Sequence, residues 1–286
     1  MSAVVMALVL ALAGPMQAGA TDQAPAQAIV IPPDGALQEL LLIDGTRAIG
    51  RVEEVDEDAF TFRTTAGVLM RVERSQMRAL APAIGRVVNG DYWPPDSNPT
   101  RLFFAPTGRS LKRGEAYLGV YEVLLPFVQY GVTDTISIGA GTPLVFGGGE
   151  VPFWITPKVQ VLKRRSTEAS LGVLHFFNVD DVNLGIAYGV VTQGNSDSAF
   201  TLGGGYAYAW DEGDDGGGPV LMVGGEHRLS RRLKLVTENY AFAGGGLVSG
   251  GLRFLGERLS VDLGLVSPLG EEDFVAFPVV NFVWKF

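Results

Sequence analysis

The stretch Val279-Val280-Asn281-Phe282-Val283-Trp284-Lys285-Phe286 decides how this sequence is read. Phe282, Trp284 and Phe286 stand at alternate positions. Successive side chains of a strand point to opposite faces, so the three rings share one face. Asn281, Val283 and Lys285 share the other, which is more polar. A strand with rings on one face only is suited to the boundary between water and hydrocarbon, where aromatic girdles form.

Upstream, the same alternation recurs in segments of about 10–14 residues, a length that suits a tilted strand crossing a membrane. In 258–266, Leu259, Val261, Leu263 and Leu265 oppose Ser260, Asp262 and Gly264. In 247–255, Val248, Gly250, Leu252 and Phe254 oppose Ser249, Gly251 and Arg253. Within 153–163, Ile155, Val159 and Val161 oppose Thr156, Lys158 and Gln160. The remaining predicted strands are 102–111, 116–131, 135–145, 168–177, 182–193, 198–210, 220–229, 232–242 and 274–286. That makes about twelve, the even total following from the parity of the turns rather than supporting it. Tight turns near 132–134, 164–166, 194–196, 230–231 and 256–257 alternate with looser connections at 146–151, 178–181, 211–218, 243–246 and 267–273. Membrane barrels alternate in this way because short turns lie on one side and loops on the other. Counting back from the C-terminus puts 112–115 on the loop side and requires 102–111 as a first strand. Alternation alone also fits a soluble sandwich.

The ending resembles the C-terminal signal of bacterial outer-membrane β-barrel proteins, in which a terminal aromatic follows alternating aromatic and apolar residues. Phe282, Trp284 and Phe286 match that pattern residue by residue. The usual upstream glycine is absent, where Ala276, Phe277 and Pro278 stand instead, and a proline within a strand needs an edge or a rim. The resemblance covers about 100–286. It implies a transmembrane barrel in the bacterial outer membrane, insertion by the barrel assembly machinery, and contact with outer-membrane lipid and lipopolysaccharide.

The N-terminal part has a different texture. Residues 1–20 read as a signal peptide, with an apolar run over 3–14 before Ala18-Gly19-Ala20, although no Lys or Arg precedes the run. Residues 21–35 are a Pro-, Ala- and Gln-rich linker. Residues 36–82 alternate over short runs joined by turns such as Asp44-Gly45 and Ala66-Gly67. This block resembles the small SH3-like and Sm-like barrels, which implies a periplasmic accessory domain suited to protein contact. Its acidic run Glu53-Glu54-Val55-Asp56-Glu57-Asp58 disfavours RNA. Residues 83–99, with Asn89-Gly90, Pro94-Pro95 and Asn98-Pro99, are a connector. The expected fold is therefore all-β: an antiparallel transmembrane barrel of about twelve strands over 100–286, preceded by a small SH3-like β-barrel domain.

Composition narrows the functions. The 286 residues carry a formal charge of −9, with 22 basic against 31 acidic side chains, which argues against a nucleic-acid partner. There is no cysteine, so disulfides, thiolate nucleophiles and Cys-ligated metal are excluded. With only two histidines, His175 and His227, a multi-histidine zinc site cannot be built. No cofactor or metal is expected. No segment offers an uninterrupted apolar run of about 18 residues, so membrane entry requires a closed barrel.

The chemistry-bearing candidates lie on predicted inward faces: Lys158, Glu226, Lys234, Glu238, Arg253 and Asp262. Glu226 and Lys234 flank one tight turn almost symmetrically, and Arg253 and Asp262 flank another on a diagonal. They form either a charged filter or an ion-pair network that plugs a narrow barrel. Asp211-Glu212-Gly213-Asp214-Asp215 reads as a solvated loop, since it lacks calcium-loop spacing. The resulting function is a non-enzymatic outer-membrane barrel for passive solute passage or a structural and surface role. The alternatives are an outer-membrane hydrolase using His175 with Ser170 or Ser198, and a soluble secreted β-rich binding protein. No G-x-S-x-G context supports the hydrolase.

Overall fold

The computed structural model describes residues 35–144, 151–179, 182–210, 215–270 and 275–286. The predicted signal peptide, nearly all of the 21–35 linker and most of the acidic run 211–215 lie outside them. The chain forms two compact units, one ending at Ala83 and the other spanning Ile84–Phe286.

The first unit contains β1 (Gln38–Leu42), β2 (Arg47–Val55), β3 (Ala59–Thr64), β4 (Leu69–Glu73) and β5 (Met77–Pro82). They form one antiparallel sheet in the order β4-β3-β2-β1-β5. The Asp44-Gly45 turn joins β1 to β2. Gly45 takes a φ of 87°, and the Asp44 carboxylate accepts the Thr46 amide at 2.8 Å. Leu40, Val52, Phe60, Phe62 and Val72 make a buried apolar core. The intervening Arg51, Glu53, Arg63 and Arg71 face water. Among the described pairings this sheet is open, with β4 and β5 as its edges, whereas an SH3-like barrel was expected to close.

The second unit starts with a short hairpin, β6 (Arg86–Val88) and β7 (Asp91–Trp93). Its large sheet comprises β8 (Ala116–Tyr121), β9 (Leu125–Gly131), β10 (Ile136–Gly141), β11 (Phe153–Ile155), β12 (Lys158–Lys163), β13 (Thr167–Val179) and β14 (Val182–Gly194). It continues through β15 (Ser198–Trp210), β16 (Asp215–Ser230), β17 (Leu233–Phe242), β18 (Gly245–Leu255), β19 (Leu259–Leu269) and β20 (Phe277–Lys285). Every pairing is antiparallel, and β20 pairs with β8, which closes the sheet. β11 and β12 both lie between β10 and β13, interrupted at Thr156-Pro157. The thirteen strands therefore make a barrel of 12 staves.

The total matches the expected number, but its membership differs. Residues 102–111 are not a strand. Their only ladder contact among the described residues is one bridge, Arg101 to Pro106. Pro106 has no amide to donate, and barrel side chains take up the segment's backbone groups instead. The predicted single strand 116–131 is a hairpin, β8 and β9. Its turn places Glu122 and Val123 at φ 47° and 64°, with the Leu124 amide donating to the Tyr121 carbonyl at 3.1 Å. Nothing in Glu122-Val123-Leu124 resembles the Asn-Gly or Gly-rich chemistry usual for such a turn, so closure of the sheet overrides local preference here. The extra hairpin reverses the placement of 112–115. Gly114 donates to the Gly131 carbonyl at 2.9 Å and Arg113 to Asp134 at 3.1 Å, both at the end where the tight turns cluster. Pro278 is accommodated because β8 pairs with β20 only over Asn281–Lys285, leaving the proline with a partner on one side.

The faces run opposite to those of a soluble sheet. Leu263, Leu265, Leu235, Leu221, Leu202 and Val161 point outward and are exposed, whereas Lys234, Arg253, Glu238 and Asp262 point inward and are buried. Phe282, Trp284 and Phe286 are on the outer face, exposed by 38%, 45% and 69%. Tyr130, Phe200 and Phe254 join them at the tight-turn end, and Phe153, Tyr206 and Trp210 stand exposed at the loop end. The outer surface is thus an apolar band flanked by two rows of rings. No helix among the described residues is long and apolar enough to cross a membrane.

Candidate functional site

The site is the barrel interior, and its tight-turn half is filled by residues 94–111, which span the expected connector and the expected strand 102–111. Residues 94–111 enter beside the tight turns, rise to mid-barrel, reverse over 102–105 and return. The Leu102 amide donates to the Ala105 carbonyl, and the Thr107 amide to the Thr100 carbonyl, each at 2.9 Å. At the entry, two guanidinium groups lie over the Trp93 ring, Arg86 at 4.9 Å and Arg228 at 5.0 Å from the ring centroid. Arg228 also donates to the Pro94 carbonyl at 2.7 Å and pairs with Asp197 at 3.1 Å.

The barrel wall holds this segment by its backbone. Arg253 donates to the carbonyls of Asn98, Arg101 and Leu102 at 2.8, 3.2 and 2.6 Å. The Glu238 carboxylate accepts the amides of Phe104 and Ala105 at 3.0 and 2.9 Å. Lys158 donates to the carbonyls of Thr100, Thr107 and Arg109. Gly108 is held through both backbone groups: its amide donates to Thr192, and its carbonyl accepts from Gln160 and Ser170. A Cβ at Gly108 would sit 2.1 Å from the Glu168 carbonyl oxygen, so only glycine can approach the wall there. Polar side chains of the wall thus replace the ladder that 94–111 does not form.

Four of the six predicted inward residues, Glu226, Lys234, Arg253 and Asp262, join a buried ionic network, while Lys158 and Glu238 hold the backbone of this segment. Lys234 bonds Glu226 at 3.0 Å and Asp96 at 2.6 Å. Asp96 also meets Arg253 at 3.3 Å, and Arg253 holds Asp262 through two bonds of 2.6 and 3.0 Å. Glu226 in turn receives Arg109, which reaches Glu168 at 3.3 Å. The register exchanges the two predicted geometries. Arg253 stands directly opposite Asp262, while Glu226 faces Val236, so that its pairing with Lys234 is the diagonal one. Glu238 stands apart from the ion pairs, bonded to two amides and to the Tyr240 hydroxyl at 2.7 Å. Buried charges demand such partners, and removing one partner from a pair of this kind costs about 3–5 kcal/mol.

Asp96, Arg101 and Arg109 belong to the site and were missed by sequence reasoning. The available signal was negative: Leu102-Phe103-Phe104-Ala105-Pro106 is apolar without alternation, between Pro99 and Gly108. Above the segment's tip the inner wall is aromatic. Tyr121 stacks on Phe127 at 4.0 Å, Phe104 lies 5.2 Å from Tyr121, and Tyr188 and Tyr240 are half-buried.

His175 meets neither Ser170 nor Ser198, the pairings expected of a hydrolase. His175 is on the outer face, where its Nδ1 lies 3.2 Å from the Tyr208 hydroxyl and its ring stacks on Trp210. Ser170 faces inward to the Gly108 carbonyl. Ser198 meets His227 instead, at 3.2 Å. Among the described residues no group of His, Asp and Glu is arranged to hold a metal ion.

No family model matches this chain, and no curated protein does. Solved structures with a partial likeness include three outer-membrane proteins. The KdgM porin, solved with disordered oligogalacturonate, is 7% identical with a TM-score of 0.46, over 60% of this chain and 98% of that one. The NanC porin is 9% identical with a TM-score of 0.41, over the same shares. A loop-deleted OmpT, an outer membrane protein of Vibrio cholerae, is 12% identical with a TM-score of 0.40, over 87% of this chain and 96% of that one. Likenesses at this level leave the function to be argued from this chain's own residues.

Proposed function

We propose that this chain is a non-enzymatic β-barrel of the bacterial outer membrane whose lumen is closed at rest by its own residues 94–111, giving it a structural or surface role rather than that of an open passage. The supporting observation is the inversion of faces: an exposed apolar band with aromatic rims surrounds a buried ionic core. Water is a poor solvent for that outer face, and hydrocarbon a good one. In this reading Phe282, Trp284 and Phe286 serve the barrel assembly machinery and then sit among lipid headgroups. The tight-turn end faces the periplasm, the loop end meets lipopolysaccharide, and the five-stranded N-terminal sheet serves as a contact domain for a periplasmic protein.

Fractionation and planar-bilayer recording test this reading together. The protein is expected in the detergent-extracted outer-membrane fraction, and the reconstituted chain is expected to be electrically silent. Arg253→Met removes four bonds to residues 96–102 and is expected to introduce stepwise openings. Recovery as a detergent-free periplasmic protein would overturn the membrane assignment. Steady stepwise conductance from the unaltered chain would overturn the closed lumen and restore passive solute passage.

A further inference from the structure

The buried cations of the lumen fall into two groups. Arg109, Arg228, Lys234 and Arg253 each pair with a carboxylate. Arg101 and Lys158 meet only neutral acceptors in the described contacts. Lys158 is sealed beneath three backbone carbonyls. Arg101 is different. It lies at the tip of the 94–111 segment and is only partly buried. Its Nε donates to the Tyr117 hydroxyl at 2.9 Å, its Nη1 to the Phe104 carbonyl at 3.3 Å, and its Nη2 to Gln129 at 2.7 Å and Thr156 at 3.4 Å. One Nη1 hydrogen remains unassigned. The Tyr121 ring centroid lies 6.0 Å from the guanidinium carbon, and the Tyr121 hydroxyl is buried with no hydrogen-bond partner, in a side chain 7% exposed. A guanidinium without a counter-charge and an unsatisfied hydroxyl in one low-dielectric place are both costly, and an anion would relieve both.

The surroundings specify what would carry that anion. The guanidinium lies 5.4 Å from the Phe127 ring centroid and 6.0 Å from that of Tyr121. Phe104, Tyr188 and Tyr240 extend the same aromatic surface and are half-buried. Flat faces of this kind favour a ring over an extended chain.

We propose that the loop-side half of the lumen binds a small carboxylate carried on a flat apolar ring, with Arg101 receiving the carboxylate and the Tyr121 hydroxyl donating to it. Residues 94–111 then form the floor of a binding vestibule as well as a closure. The proposal deepens the closed-barrel reading but is measured separately, since binding is read in detergent and neither conductance nor localisation enters it.

The test is calorimetric titration of the refolded full chain with naphthalene-2-carboxylate, its neutral amide, and acetate. The carboxylate is expected to saturate and to bind at least tenfold more tightly than either control. Arg101→Gln is expected to lose that tenfold margin, Arg101→Lys to keep part of it, and Tyr121→Phe to weaken binding severalfold. Heat-modifiable electrophoretic mobility reports whether each variant has a closed barrel. If Arg101→Gln does not fold, Tyr121→Phe and the carboxylate-to-amide ratio decide. Equal binding of carboxylate and amide, absence of saturation, or folded Arg101 variants that titrate like the parent would overturn the proposal.

Discussion

Two sheets in this chain share one alternating pattern and use it in opposite senses. In the N-terminal sheet Val52, Phe60, Phe62 and Val72 point into the core, while Arg51, Glu53, Arg63 and Arg71 meet water. In the barrel Leu259, Leu263 and Leu265 point out, while Ser260 and Asp262 point in. Period two establishes that a segment is a strand with two unlike faces. It does not say which face is the interior. That depends on what the sheet can enclose. The five-stranded sheet can cover its apolar face with its own side chains. The closed sheet of 12 staves encloses residues 94–111, holds them by their backbone with inward polar side chains, and leaves most of its large apolar residues outside. Charges follow the same inversion. The Glu53–Arg63 pair lies in solvent, whereas Arg253 and Asp262 are almost wholly buried.

The contrast is most severely tested by removing one charge from each sheet. Arg253→Met leaves Asp262 and Asp96 buried without their shared cation. It is expected to cost about 3–5 kcal/mol in denaturant unfolding of the refolded barrel. A loss below about 1 kcal/mol would mean that the network is hydrated and less buried than described. The matching apolar test is Phe62→Ala, which empties a fully buried site in the N-terminal sheet. An expected loss of about 3–5 kcal/mol should appear as faster hydrogen exchange of β2 and β3 amides. A smaller effect follows from Leu263→Arg, which puts a cation on the outer band. In lipid the expected cost is about 2–4 kcal/mol, falling toward zero if that face meets water. The smallest effect belongs to Glu53 and Arg63. A hydrogen bond from Arg63 holds the exposed Glu53 carboxyl below the usual carboxylate range. A lowered pKa in the folded state contributes stability above the ordinary carboxylate pKa, and that contribution is lost as pH falls through the lowered value. Arg63→Met should therefore lower the unfolding midpoint only slightly at pH 7, and that small difference should vanish as pH falls through the lowered value. A loss at pH 7 comparable with that of Phe62→Ala would contradict the solvent-exposed placement.

Much of the barrel was legible in local pattern. The staves from β13 to β19 and the inward placement of Lys158, Glu226, Lys234, Glu238, Arg253 and Asp262 follow from alternation, because long strands repeat the signal many times. Two features were not legible, and they offset each other in the strand count. The β8–β9 turn uses Glu122 and Val123 at positive φ, which no propensity argument would choose. Parity of the turns assigns a strand to residues 102–111, which they do not form. Their absence of alternation and Pro106 were the contrary evidence. Counting turns fixes parity only when every hairpin is seen, and one unseen hairpin moved 112–115 from one end of the barrel to the other.

The amino-acid order by itself determined that this is an all-β chain with two-faced strands, and which side chains share a face, since those properties depend on neighbours one or two residues apart. Only the tertiary structure decided that 94–111 folds back into the lumen, that Asp96 bridges Lys234 and Arg253, and that Arg101 comes to rest without a carboxylate. Asp96 and Arg253 are separated by 157 residues. Contacts at such range leave no periodic trace in the sequence, and they form only once the sheet has closed and excluded water from the charges that must then find partners.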